Sequence, residues 1–247
     1  RWFGSMKSSQ ALAQSVFGNL KAHGSLHYLE GLNDDFGIPL FEPVRIQPEN
    51  FQMEFSVNYL GEPRSTSIDA MVVGDYKIAI ECKFTEQEVG PCSRPGLKPT
   101  ASNYNKSYCN GSYAKQLDRS SECSLTNGGV SYWDYVPSLF KWRNDIVHNP
   151  CPLHKNYQLV RNVLAACIKK DADRIFIGEG HAVLIYDERN LAFQAGGAGS
   201  TAFLQTRQAL FNPNLIRKCS WQRIIEHIRK KGGFDWLTSR LQMKYGF

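Results

Sequence analysis

Ser67-Ile68-Asp69-Ala70-Met71-Val72-Val73-Gly74-Asp75-Tyr76-Lys77-Ile78-Ala79-Ile80-Glu81-Cys82-Lys83 reads as two short apolar strands joined at Gly74-Asp75. Charged side chains are depleted inside strands, so Asp69, Glu81 and Lys83 among such residues need a reason, and binding a divalent cation is a good one. Strand side chains alternate faces with a period of two. Glu81 and Lys83 therefore share one face, while Ile78, Ile80, Cys82 and Phe84 point to the other and can pack a core.

A third strand precedes these two. Residues 51–59, Phe-Gln-Met-Glu-Phe-Ser-Val-Asn-Tyr, alternate strictly, which places Phe51, Met53, Phe55, Val57 and Tyr59 on one face and Gln52, Glu54, Ser56 and Asn58 on the other. With a bend at Leu60 to Pro63, antiparallel partners have numbers totalling 123, and Glu54 falls opposite Asp69; a turn at Gly74-Asp75 gives a total near 150 and sets Asp69 opposite Glu81. Three neighbouring carboxylates raise one another's pKa unless a cation sits between them. Mg²⁺ or Mn²⁺ suits oxygen donors from Glu54, Asp69, Glu81 and the Cys82 main-chain carbonyl. Lys83 then orients the nucleophile or stabilises charge on a phosphate, and Glu54 serves as accessory ligand or water-activating base. Hydrolysis of a phosphodiester is the implied reaction. The plainer reading, a solvated Glu81–Lys83 pair on a half-exposed sheet, does not account for a carboxylate on each of three consecutive strands.

An Asp on one strand followed by Glu-x-Lys on the next, here Asp69 and Glu81-Cys82-Lys83, resembles the PD-(D/E)xK, or restriction-endonuclease-like, nuclease superfamily. The proline of that motif is replaced by Ile68. Ser8-Ser9-Gln10, Cys109-Asn110-Gly111-Ser112-Tyr113, Tyr132-Trp133-Asp134-Tyr135 and Tyr157-Gln158-Leu159-Val160-Arg161-Asn162 look like a bacterial branch of it. The resemblance implies an early helix that lends a polar side chain to the site, for which Gln10 and Gln14 are candidates. It also implies a helix after the Glu-x-Lys strand that borders the site, bringing Gln158 to a nucleotide or metal-bound water and Arg161 to a phosphate.

Residues 8–22 carry Ala11, Leu12, Val16, Phe17 and Leu20 at helical spacing behind a Ser8 or Ser9 cap. Residues 155–170 form the second helix, with Lys169-Lys170 closing its last turn and Gln158, Arg161 and Asn162 on the side away from its apolar stripe. Strands follow at 174–177 and 181–187. A third helix, capped by Ser220 and ended by Gly232-Gly233, presents Trp221, Ile224, Ile225 and Ile228 on one face and Arg223 and Lys230 on the other, where a phosphate backbone or plain solvent can lie.

The formal charge of +6 suits a polyanionic partner without requiring one. No apolar run is long enough for a membrane span, and no basic-then-apolar leader is visible, so a cytoplasmic location is expected. Seven cysteines without a leader argue against a disulfide framework. Cys82, Cys167 and Cys219 sit in apolar patterns. Cys92, Cys109, Cys123 and Cys151 fall in or beside a Gly-, Ser- and Asn-rich insertion at about 87–150 and are candidates for a structural Zn²⁺, although they form no Cys-x2-Cys knuckle. The aromatic run at 132–142 is read as packing rather than base stacking.

The expectation is an α/β chain, a single nuclease-like domain over 1–247: a restriction-endonuclease-like core with a mixed β-sheet flanked by helices, a cysteine-rich insertion, and a C-terminal helical region at about 200–247. The expected function is a Mg²⁺- or Mn²⁺-dependent nuclease acting on DNA, an endonuclease rather than an exonuclease, with RNA as an alternative substrate and a homodimer or partner protein as candidate assemblies. The rival is an inactive binding module on the same fold.

Overall fold

The structure is a computed structural model that describes residues 8–63, 66–114, 123–171 and 174–247. Residues 115–122 of the expected insertion lie outside the described residues. In chain order the elements are α1 (Ser9–Ala13), a π-helical turn (Gln14–Gly18), α2 (Asn19–Ala22), β1 (Phe51–Val57), β2 (Thr66–Val72), β3 (Tyr76–Cys82), α3 (Tyr104–Ser107) and α4 (Ser124–Asn127). They continue with α5 (Tyr132–Leu139), α6 (Leu153–Cys167), β4 (Ile168–Asp171), β5 (Arg174–Ile177), β6 (Glu179–Tyr186), α7 (Ala198–Ala209), β7 (Ile216–Ser220), α8 (Trp221–Lys231) and α9 (Asp235–Tyr245).

Five strands form one mixed sheet in the order β1-β2-β3-β6-β7. The β1-β2 and β2-β3 pairs are antiparallel, and the β3-β6 and β6-β7 pairs are parallel. A parallel step needs a long crossover, and the segment carrying α6 supplies the one between β3 and β6. Helices flank both faces. α6, α5 and α7 cover one face through Leu159, Val163, Trp133 and Phe203, while α1, α8 and α9 cover the other through Leu12, Trp221, Ile225 and Leu237. Each such side chain, withdrawn from water, contributes roughly 1.5–3 kcal/mol before entropy is set against it.

The register follows the two totals read from the sequence. Met53 pairs with Ala70 and Phe55 with Ile68, while Ala70 pairs with Ile80. The strict alternation expected of residues 51–59 does not hold, however. Phe51 and Met53 pack on the α1/α8 side, but Phe55, Val57 and Tyr59 pack on the α6 side. Strand β2 switches at the same level, Ala70 and Val72 going one way and Ile68 the other. Glu54 causes the switch: its φ of 52° places a non-glycine residue in the left-handed region, and the ladder omits the Glu54–Asp69 pair without shifting register on either side.

Two further expectations are corrected. The second helix ends at Cys167, and Ile168-Lys169-Lys170 belong to β4, paired with β5 in a two-stranded sheet. Lys77, reaching the Ile168 carbonyl, and Tyr59, donating to Ala165 O at 2.5 Å, satisfy the helix end that Lys169-Lys170 were expected to close. The C-terminal region is not purely helical. Residues 216–220 form β7, because the apolar side chains of Ile216 and Cys219 are needed inside the sheet's edge.

His181 on β6 is fully buried, with Nε2 at 2.9 Å from Leu40 O and Nδ1 at 3.0 Å from the Tyr76 hydroxyl. Burial, aided by Arg217, pushes its pKa down to about 3, against the Leu40 hydrogen bond. Between that value and the usual ~6.5 the unfolded chain binds a proton that the folded chain refuses, so stability is lost as pH falls through this window. Denaturant titrations at pH 7 and pH 4.5 will show a smaller acid-induced loss in His181→Gln than in the wild type.

Candidate active site

Glu81 is the centre of the polar cluster on the α6 side of the sheet. It lies one residue before the end of β3, is 4% exposed, and has both carboxylate oxygens engaged. Oε1 accepts from Lys83 Nζ at 2.9 Å and from Gln158 Nε2 at 2.5 Å. Oε2 accepts from Asn162 Nδ2 at 2.9 Å and lies 3.6 Å from Arg161 Nη2. Lys83, 7% exposed, also reaches Gln158 Oε1 at 2.9 Å. Burial works against its charge, yet the Glu81 carboxylate and its hydrogen bond hold the ammonium above its usual range.

The period-two parity of β3 brings Glu81 and Lys83 together, and one helical turn brings Gln158 and Asn162 alongside. The polar side of α6 is thus turned toward the sheet. Arg161 and Asn162 are 5% and 1% exposed, and the Arg161 guanidinium is held by Asn162 Oδ1 at 2.9 Å and by Ser67 O at 3.4 Å. A helix whose polar stripe faces inward is ordinarily costly, and Glu81 is what compensates these donors.

Asp69 lies on the neighbouring strand. Its Oδ2 accepts the main-chain N–H of Cys82 at 2.7 Å, at a level where β2 no longer pairs with β3. The N–H and C=O of a strand residue project to the same side, so the Cys82 carbonyl faces Asp69 as well. Burial, then Glu81 and to a lesser degree Glu54, push the Asp69 carboxyl up to about 8, against the Cys82 N–H and Lys83. Glu54 Oε1 is buried with no hydrogen-bond partner.

The structure brings Asp69, Glu81, Lys83 and Gln158 together, with Glu54 close enough to act on Asp69. Among the described residues no group of three or more His, Cys, Asp or Glu side chains is placed to hold a metal ion, and Glu81 spends both oxygens on protein donors. What fits a cation is the orphaned Glu54 oxygen and an Asp69 whose carboxyl the Lys83 charge does not fully offset. Gln10 and Gln14 lie near the start of the helical stretch over 9–22, whose Ser9 hydroxyl donates to Glu86 Oε1 at 2.5 Å just beyond Lys83. Arg223 and Lys230 are not at the site. They lie on α8, on the opposite face of the sheet, where Arg223 pairs with Asp35 at 3.2 Å and Lys230 with Glu226 at 3.7 Å.

Sequence reasoning missed Gly90. Its φ is 104°, and a Cβ there would come within 2.1 Å of Gln158 Oε1, so only glycine lets this loop pass over Gln158 and leave its amide on Lys83 and Glu81. Nothing in a lone glycine outside a motif signals that role.

A mixed sheet flanked by helices, with Asp69 on one strand and Glu81-x-Lys83 on the next, is consistent with the restriction-endonuclease-like class. The chain belongs to the family described as Restriction Endonuclease associating with ARP, which it matches over residues 1–246. No curated protein and no solved structure matches it.

The raised Asp69 pKa has a thermodynamic consequence for the chain in chelator. An unfolded aspartate ionises near ~3.9, so between that pH and about 8 the folded chain holds a proton the unfolded chain has lost. Stability therefore falls as pH rises through this window. Thermal melts in EDTA at pH 5 and pH 8.5 will show a shallower decline in Asp69→Asn than in the wild type.

Proposed function

We propose that this chain is a divalent-metal-dependent nuclease that hydrolyses DNA, and the observation that carries the reading is the Asp69, Glu81, Lys83 and Gln158 cluster beside the unpartnered Glu54 oxygen. The family assignment supports a nuclease-like role. Asp69 and the Cys82 carbonyl are the groups that would hold Mg²⁺ or Mn²⁺, and Glu81 would join them by giving up one of its protein donors. A cation there supplies positive charge to the phosphate and lowers the pKa of a nearby water.

The protein's own part is positioning and proton movement. Lys83, fixed by Glu81 and Gln158, places its ammonium against the non-bridging phosphate oxygens and stabilises the charge that builds as water attacks phosphorus. Glu54 Oε1 takes the proton released by that water. The new P–O bond forms as the bond to the leaving sugar oxygen breaks, and that oxygen draws a proton from solvent. Gln158 keeps Lys83 in line with Glu81.

Among the described residues no helix is long and apolar enough to cross a membrane, in keeping with a proposed cytoplasmic setting. The words "associating with ARP" in the family description support a protein partner that recruits or directs the nuclease. A second reading, an inactive binding module, is favoured by the engagement of both Glu81 oxygens with protein donors.

The test is cleavage of linear, supercoiled and single-stranded DNA, with RNA alongside, in Mg²⁺, Mn²⁺, Ca²⁺ or EDTA. The wild type cuts in Mg²⁺ or Mn²⁺, and Asp69→Ala and Lys83→Ala each lose at least about 100-fold. Cutting that survives unchanged in both variants sinks the assignment of the site, and DNA binding without cutting transfers support to the module reading.

Gly90→Ala separates positioning from folding. Its Cβ displaces Gln158, so the cleavage rate drops by roughly tenfold or more while circular dichroism stays native. A native rate in that variant would remove Gln158 from the mechanism.

A further inference from the structure

Four cysteines from four separate stretches of the chain converge on one small cavity beside α6. Cys92, Cys109, Cys123 and Cys151 line it, together with Arg94, Gly111 and His154. Its volume is about 20 Å³, room for roughly one water-sized sphere and thus for a single ion. Cys109 and Cys123 act electrostatically on Cys92, and Cys123, Cys92 and Cys109 act on Cys151, which places Cys92 and Cys151 within range of each other and of the other two thiols.

A second observation is independent of that convergence. Gly111 N–H donates to Cys109 Sγ at 3.4 Å, and the N–H groups of Arg94 and Leu153 donate to the sulfurs of Cys92 and Cys151. Three of the four sulfurs thus receive the main-chain N–H two residues further on. Burial pushes the Cys92 and Cys151 thiols up and these N–H donors oppose it, so they favour the thiolates that a cation among the four sulfurs would bind. The turns are tied to one another as well: Cys92 N donates to His154 O at 2.8 Å and Cys151 N to Gly111 O at 2.7 Å. None of the seven cysteines forms a disulfide, and Cys82, Cys167 and Cys219 are buried away from this cavity.

We infer that Cys92, Cys109, Cys123 and Cys151 bind one structural Zn²⁺ that fastens the segment between β3 and α6. Four thiolates around a single ion is the donor set and coordination number that zinc takes in closed structural sites, and the cavity is too small for a multi-atom iron–sulfur cluster. Among the described residues no three of these side chains are placed to hold an ion as they stand, so the proposal requires the ion to draw the four sulfurs together around the cavity they line. The closure bears on the site described above. Cys92 lies two residues beyond Gly90, and His154, whose carbonyl holds Cys92, lies one helical turn before Gln158. Zinc therefore fixes the loop that passes over Gln158.

The test is metal analysis of the whole chain, produced with zinc in the medium and purified without chelator, followed by Co²⁺ replacement. The expected results are about one zinc per chain and, with Co²⁺, thiolate-to-metal absorption in the near ultraviolet with intense visible bands of a tetrahedral site. Cys92→Ser and Cys151→Ser weaken zinc binding at least about tenfold, whereas Cys167→Ser and Asp69→Asn keep it. The Co²⁺ spectrum of the wild type decides the matter if a serine variant fails to fold. The proposal is overturned by a folded chain without zinc, by zinc that follows Asp69 instead of the cysteines, by iron with labile sulfide, or by a disulfide among the four. None of these readouts depends on nuclease activity.

Discussion

The structure is organised around a buried carboxylate. Glu81 sits near the end of a central strand with Lys83, Gln158, Asn162 and Arg161 around it, so that β3 and α6, far apart along the chain, meet through one negative charge. A bare carboxylate so buried would be untenable, and removing one member of such a cluster typically costs about 3–5 kcal/mol because the others are left uncompensated. The inward polar stripe of α6, the burial of Arg161 and the glycine at position 90 all answer to this one residue.

The neighbouring carboxylates are provided for differently. Asp69 has a main-chain N–H but no cationic side chain bonded to it, and Glu54 has an oxygen with nothing at all. Strain accompanies this deficit, since Glu54 holds a left-handed backbone conformation in the middle of a strand. Underpartnered carboxyls and a strained backbone thus meet at one level of the sheet, and the proposed metal site rests on that coincidence.

Much of this was legible in the residues. The pairing totals that set Glu54 across from Asp69, and the shared face of Glu81 and Lys83, follow from the period of a strand and the placement of two turns. Where the reading failed, a non-local contact prevailed over a local rule. Residues 51–59 alternate perfectly in sequence, yet the two strands switch faces together at Glu54 and Asp69. Lys169-Lys170 look like a helix end, but Lys77 from a distant strand takes that place and frees them for β4.

The sequence by itself therefore determined what depends on neighbours along the chain: strand and helix periods, a cap at Ser8 or Ser9 and one at Ser220, and the identity and parity of Asp69, Glu81 and Lys83. Only the tertiary structure decided which polar side chains of α6 turn inward, that Gly90 clears room for Gln158, that Arg223 and Lys230 lie on the far face, and that four scattered cysteines meet at one cavity. The physical reason is that a side chain's periodic position follows from local backbone geometry. Its partner follows from how much charge and surface the whole fold must bury, which no window of sequence contains.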